Sequence, residues 1–222
     1  MAVDLVARAR IHAALGDPHR LVVVDALQLS DRSPSELAEM LEMRSNLTAH
    51  HLGVLEDLGV IVRVVSESDR RKRYVQLVPS ALSGLQLDRA VPAQRIVFVC
   101  TENSARSQLA EAIWNQRNTV PATSAGIAPA SELQPGVLEA AARRGIDLSS
   151  AYPKPVPELA HDDLVISVCD RAHDVLAGRP EINELHWSVP DPAVMNTSTA
   201  FDDSADVLTD RIASLGPSIT LV

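Results

Sequence analysis

The sequence predicts two domains of different class: a mainly α domain ending in a two-stranded hairpin, then an α/β three-layer domain on a parallel sheet. Three observations predict this. Up to about residue 78, helical apolar spacing with clear stop signals dominates. From Arg95 onward, short apolar runs alternate with helical patterns, the order expected of βαβ units. Between them, Pro79-Ser80-Ala81-Leu82-Ser83-Gly84 through Val91-Pro92 has Pro at both ends with Ser and Gly inside. The expected boundaries are 1–80, a linker at 81–94, and 95–222. Charge divides likewise: net −1 up to Ala90 and −8 from Val91. An acidic second half is repelled by nucleic acid.

Val3 to Leu15 reads as a helix, stopped at Gly16-Asp17-Pro18. Pro18 opens a second, running to about Leu27. Ser33 caps a third, with Pro34 in its first position and Glu36 three residues past the cap. A fourth, Asn46 to Leu58, stops at Gly59. Val60 to Val65 and Tyr74 to Leu77 form a hairpin around the tip Arg70-Arg71-Lys72-Arg73. In the second half, Arg95–Val99, Pro121–Ser124, Leu164–Val168 and Glu184–Trp187 read as strands. Ser107–Arg117, Gly136–Arg144 and Phe201–Leu215 read as helices.

Two short helices followed by a wing with a basic tip are the parts of a winged helix-turn-helix. Its second helix is expected in the major groove of double-stranded DNA. The positions expected to face outward there are Ser45, Asn46, Thr48, Ala49, His50 and His51, residue types that bond base edges or phosphates. Arg70, Arg71, Lys72 and Arg73 are expected to neutralise phosphates. The stretches Ser35-Glu36-Leu37-Ala38, His51-Leu52-Gly53-Val54-Leu55-Glu56-Asp57-Leu58-Gly59 and Asp69-Arg70-Arg71-Lys72-Arg73-Tyr74 resemble the ArsR/SmtB repressors. That resemblance implies a homodimer on an operator. Sensors of that family often carry a Cys pair near the recognition helix, and the first half of this chain has no Cys. His12, His19, His50 and His51 are scattered without paired carboxylate spacing, so no metal site is expected.

The sharpest motif is Val97-Phe98-Val99-Cys100-Thr101-Glu102-Asn103-Ser104-Ala105-Arg106-Ser107. A strand that ends in a loop and opens a helix aims several backbone N–H groups at one spot, which favours an anion. An Arg at the rim can grip two oxygens of a tetrahedral oxyanion. A Cys in such a nest is pushed toward thiolate, the nucleophilic form. Thr101, Glu102, Asn103, Ser104, Ala105 and Arg106 are therefore the expected oxyanion-binding residues, around a small arsenate or phosphate.

From Arg95 onward the chain resembles the low-molecular-weight protein tyrosine phosphatases and the arsenate reductases on the same fold. The matched parts are the Cys100–Arg106 loop with Ser107, Ser124-Ala125-Gly126, Gly145-Ile146-Asp147 with Pro153-Lys154, and Asp191-Pro192. The resemblance implies Cys100 as nucleophile, with Arg106 and the loop amides stabilising transition-state charge. Ser107 donates to the thiolate, Asn103 braces the loop, and Asp191 protonates the leaving oxygen. Gln108 after Ser107 and the absence of Tyr after Asp191-Pro192 point toward arsenate. Cys169 stands where thioredoxin-coupled reductases carry a resolving Cys; their third Cys is missing here. Reduction then needs Cys100–Cys169 alone or an external thiol, and no bound cofactor is expected.

Two departures bear on activity. Glu102 replaces a loop Gly and sets a carboxylate beside the nest. Ala105 stands where many relatives have a second loop Cys. The leading expectation is a DNA-binding regulator fused to an arsenate reductase-like domain acting in arsenic response. One alternative is a pure regulator whose second domain only senses an oxyanion or redox state; another is a protein tyrosine phosphatase. No apolar run approaches the length of a membrane helix, and the N-terminus lacks a signal-peptide layout. Two cysteines, one in a reactive context, suit the reducing cytoplasm.

Overall fold

The computed structural model describes residues 5–82, 91–177, 179, 182–195 and 197–221. The chain divides into two compact units, Met1–Leu87 and Asp88–Val222. The expected linker at 81–94 overlaps both: Leu82 packs into the first core, whereas Val91-Pro92 pairs with the C-terminal strand of the second unit. Its middle, 83–90, lies outside the described residues, as does the expected helix start at Val3.

The first unit contains α1 (Leu5–Leu15), α2 (Pro18–Leu29), α3 (Pro34–Met40) and α4 (Ser45–Asp57), then β1 (Ile61–Val65) and β2 (Arg73–Leu77). Asp17 caps α2, its Oδ1 accepting from the amides of His19 and Arg20. Ser33 and Glu36 form a capping box at α3. Both caps satisfy amides that a helix start otherwise leaves unpaired. Val23, Val24 and Leu27 of α2, Leu37 of α3, Leu52 and Leu55 of α4, and Ile61 and Val75 of the hairpin close one apolar core. β1 and β2 are antiparallel, with Ile61 opposite Leu77 and Val65 opposite Arg73. Arg32 adds an antiparallel bridge to Val75.

The second unit runs β3 (Val91–Pro92), β4 (Arg95–Cys100), α5 (Arg106–Arg117), β5 (Ala122–Gly126), α6 (Pro135–Arg143), β6 (Asp163–Ser167), α7 (Asp170–Leu176), β7 (Asn183–His186), α8 (Pro192–Met195), α9 (Ser198–Leu215) and β8 (Ile219–Thr220). The main sheet is parallel, in the order β5-β4-β6-β7. The chain steps from β4 to β5 in one direction and from β6 to β7 in the other. Right-handed crossovers then put α5 and α7 on opposite faces. The carboxyl end of β4 is the switch point of the sheet, where open α/β folds place ligands. Phe98, Trp114 and Trp187 are fully buried, with Phe98 about 6.0 Å from each indole.

The two-domain fold class is borne out, and element ends move by one to three residues. α9 starts at Ser198 rather than Phe201, because the Thr197 hydroxyl caps it by accepting from the Ala200 amide. The short helices α7 and α8 and the pairing of β3 with β8 had no periodic signal in the sequence, being too short to show one.

Candidate oxyanion site and nucleic-acid interface

Cys100 is the last residue of β4, and α5 begins at Arg106, so the loop spans one strand-to-helix turn. The Cys100 thiol group is buried. Ser107 Oγ lies 3.0 Å from its Sγ, and the Asn103 amide donates to Sγ at 3.1 Å. Asn103 sits in the left-handed region at φ 53°, a conformation Asn tolerates when its side chain bonds locally. Here it bonds fully. Nδ2 donates to Ser107 Oγ (2.8 Å) and Ser124 Oγ (2.9 Å). Oδ1 accepts from Gln108 Nε2 (2.9 Å) and from the Lys154 amide (2.7 Å). Gly126 makes room for this, because a Cβ there would stand 2.9 Å from loop backbone atoms of Thr101, Glu102 and Asn103.

Glu102 is exposed, and its carboxylate accepts from Ser104 Oγ at 3.2 Å. The positive φ falls on Asn103, not on Glu102. Loss of the loop glycine is therefore accommodated, and the carboxylate points outward rather than into the nest. Ala105 is buried at the N-cap of α5.

Arg106 is buried; one Nη donates to the Val189 carbonyl (2.8 Å) and the other to Asp191 Oδ2 (3.0 Å). Asp191 also caps α8, its Oδ1 accepting from the Ala193 amide. The guanidinium and the expected acid thus meet directly. Cys169 is fully buried two residues beyond β6, the strand next to β4. The Thr101 hydroxyl approaches its Sγ at 3.5 Å. Burial pushes the Cys169 thiol up to about 11; the Arg106 charge opposes this shift and Cys100 adds to it.

Glu111 and a buried histidine–carboxylate group carried no sequence signal. Glu111, one turn along α5 from Ser107, accepts from Ser124 Oγ (2.5 Å) and from Lys154 Nζ (3.1 Å). A hydrogen-bonded chain therefore runs from the Lys154 ammonium through Glu111, Ser124, Asn103 and Ser107 to Cys100. Behind Cys169, His186 Nε2 lies 3.2 Å from Asp170 Oδ1 and its Nδ1 lies 3.1 Å from Ser167 Oγ. The His173 ring stacks on His186 at 4.2 Å and meets Glu184 at 3.1 Å. These groups tie β7 to the helix that follows Cys169.

In the first unit, Ser45, Asn46, Ala49 and His50 face solvent on α4. Thr48 and His51 do not, contrary to the sequence expectation. Both are buried, and Thr48 Oγ1 donates to the Arg44 carbonyl. They stand at the same i, i+3, i+4, i+7 stripe as Leu52 and Leu55, the face turned to the core. Arg44, exposed just before α4, was missed. Arg70, Arg71, Lys72 and Arg73 are all exposed at the wing tip. Arg71 is paired to Asp69 through Nε (3.0 Å) and Nη2 (3.1 Å), which holds the Asp69 carboxyl down at about 2. Among the described residues no helix is long and apolar enough to cross a membrane.

A strand-end thiol in an amide-lined loop, in a domain that follows a winged helix-turn-helix, places the chain among two-part proteins pairing a DNA-binding module with a cysteine-centred anion domain. Residues 95–220 match the low molecular weight phosphotyrosine protein phosphatases, and the chain belongs to that family. Residues 17–62 match the bacterial regulatory proteins of the arsR family, so the two are fused in one chain. The second half is similar to an arsenate reductase of Brevibacillus brevis, 36% identical over 104 residues, covering 44% of this chain and 76% of that protein. It is similar to one of Bacillus cereus, 33% identical, covering 53% of this chain and 90% of that protein. Among solved structures it is similar to an arsenate reductase in the phosphate-binding state, 25% identical with TM-score 0.51, covering 57% of this chain and 99% of that one. It is also similar to the low molecular weight protein tyrosine phosphatase of T. tengcongensis, 26% identical with TM-score 0.50, covering 55% and 97%.

Proposed function

We propose that this chain is a DNA-binding regulator whose second domain reduces arsenate, acting in arsenic response. The observation that carries the reading is the pair of buried cysteines at the carboxyl ends of neighbouring strands β4 and β6. A phosphatase needs only the first. A reductase needs a second sulfur to take the bond back from arsenic.

The chemistry follows from the groups in place. Arsenate enters the nest, and the Arg106 guanidinium exchanges Asp191 for two of its oxygens. Cys100 sulfur bonds to arsenic; the hydroxyl that leaves takes a proton from Asp191 and departs as water. Ser107 and the Asn103 amide hold the sulfur in line, and the loop amides stabilise the developing charge. A thiolate at Cys169 then attacks Cys100 Sγ. The S–As electron pair passes to arsenic, arsenite leaves, and a Cys100–Cys169 disulfide remains. Two electrons have moved from the thiols to arsenic. An external thiol restores the pair, so the cycle needs a reductant but no bound cofactor.

Ser45, Asn46 and His50 read the duplex while Arg70, Lys72 and Arg73 contact phosphates, with Arg71 contributing less. The operator-binding unit is a homodimer in the cytoplasm. Exposed Leu5 and Val6 on α1 supply apolar surface for it. Sedimentation of the full chain at twice the protomer mass is the expected result.

The decisive assay measures turnover of arsenate, with several thiol donors, and of para-nitrophenyl phosphate. Cys100→Ser is expected to abolish both. Cys169→Ser is expected to abolish arsenite release in the absence of added monothiol and to leave phosphate-ester hydrolysis intact. Hydrolysis of the ester with no arsenate reduction would make the domain a phosphatase. No Cys100-dependent turnover of either would leave a regulator with an oxyanion-sensing domain.

A further inference from the structure

The fold brings together residues that the sequence keeps apart. The histidines of the first unit are scattered along the sequence, yet two of them converge on Asp17. His19 Nδ1 lies 3.5 Å from Asp17 Oδ1, and His51 Nδ1 lies 3.8 Å from the same oxygen. The centroids of the two rings lie 5.4 Å apart, with the rings tilted by 38°. One donor atom from each of the three residues falls within 4.8 Å of the others. In a tetrahedral zinc site with bonds near 2.0–2.1 Å, donor atoms stand about 3.3 Å apart, so modest side-chain rotation closes this set around an ion.

A second observation is independent of that proximity. His51 is 7% exposed, and its Nδ1 is buried with no hydrogen-bond partner. Such an atom is rare in a folded interior, where buried polar groups are paired. At 3.8 Å the Asp17 carboxylate is too far to satisfy it by a hydrogen bond. It is a lone nitrogen aimed at a carboxylate and a second imidazole, and an ion between the three would satisfy it.

We propose that Asp17, His19 and His51 form a binding site for a divalent transition ion of the zinc class. Two imidazoles and one carboxylate are the donors, and the fourth position is open to water. The donor set is nitrogen-rich and borderline in softness, which suits Zn²⁺ or Co²⁺ over Mg²⁺ or Ca²⁺. Asp17 is held ready by its role as the cap of α2, since the His19 and Arg20 amides fix Oδ1. Arg20 is the opposing group. Its Nη1 stands 3.8 Å from Asp17 Oδ2, while its Nε is committed to the Ala14 carbonyl. The ion therefore binds on the Oδ1 side, between the imidazoles. It bridges the start of α2 to α4, the helix whose outer face is read as the DNA contact.

The test uses the full, tag-free chain carrying Cys100→Ser and Cys169→Ser, so that neither thiol ligates. Zn²⁺ is titrated against a chromophoric chelator, and Co²⁺ is added to read the visible bands of a four-coordinate ion. The expected result is one ion per chain, with a Zn²⁺-dependent rise in melting temperature. His19 is half exposed, so His19→Ala leaves the fold intact, as circular dichroism checks. It should weaken Zn²⁺ at least tenfold and remove the melting shift; Asp17→Asn should do the same. Zero stoichiometry overturns the site, as does His19→Ala binding Zn²⁺ as tightly as its parent. Neither outcome bears on the arsenate chemistry, which lies in the other unit.

Discussion

Asn103 concentrates the physics of the loop in one residue. Its backbone takes a conformation that costs most side chains about 1–2 kcal/mol, and its buried amide makes four hydrogen bonds that hold Ser107, Ser124, Gln108 and the Lys154 backbone around Cys100. Asn103→Ala adds backbone strain and strands those partners, a combined cost of about 2–4 kcal/mol. Asn103→Gly removes the strain but not the stranding. Thermal unfolding should rank wild type above Gly and Gly above Ala, and both variants should lose about a hundredfold in Cys100-dependent turnover. A Gly variant with full activity would show that only the backbone conformation matters. The Cys100–Arg106 spacing and the bracing by Asn103 were legible in the sequence, because a nucleophile, a loop length and an Arg are local features. Ser124 and Lys154 were legible as parts of motifs but not as partners of Asn103, and Glu111 was not legible at all. Glu111 is one acidic residue among many on a helix, and only the fold sets it against Ser124 and Lys154.

At the scale of elements, β4 and β6 deliver two sulfurs to one edge of the sheet, and their surroundings differ. Cys100 ends in a loop of donors. Cys169 ends in an apolar interior that raises its thiol to about 11, burial outweighing the charge of Arg106. A raised thiol pKa means that the thiolate is scarce at neutral pH and grows about tenfold for each unit by which the pH is raised toward that value. In single-turnover experiments with arsenate, loss of the second free thiol should therefore speed up about tenfold per pH unit from pH 7 to 9 without levelling. Hydrolysis of para-nitrophenyl phosphate, which does not use Cys169, should not follow that slope. A plateau for thiol loss below pH 8 would mean that Cys169 is not the attacking group. The segment holding Cys169 is fixed from behind by His186, Asp170, His173 and Glu184, a buried set the sequence did not announce. Asp170 and His173 come from α7 and Glu184 and His186 from β7, so no local pattern marks them. Helix α4 shows the opposite case: Thr48 and His51 looked like surface polar residues, yet their spacing to Leu52 and Leu55 already placed them on the inner stripe.

Across the whole chain, charge separates the two domains. The second domain carries net −8, while four of the eleven Lys and Arg residues up to Ala90 stand side by side at Arg70–Arg73 on the wing. DNA affinity must come from the first domain against the repulsion of the second, so it should be strongly salt-dependent. The structure also shows one two-point ion pair at the wing tip, which the sequence could not. Arg71 is held in a two-point pair by Asp69, so its charge is already partly offset. Arg70, Lys72 and Arg73 are exposed at the same tip. Each phosphate contact adds about 0.9 to the slope of log affinity against log salt. Binding of the full chain to a duplex, followed by anisotropy across a salt series, should give a slope reduced by about 2–3 in Arg70→Gln/Lys72→Gln/Arg73→Gln. Arg71→Gln alone should change it by well under 1. Equal effects from every wing cation would mean that the Asp69 pair opens on DNA. An unchanged slope in the triple variant would remove the wing from the interface and leave α4, with Arg44 at its start, as the contact that holds the backbone.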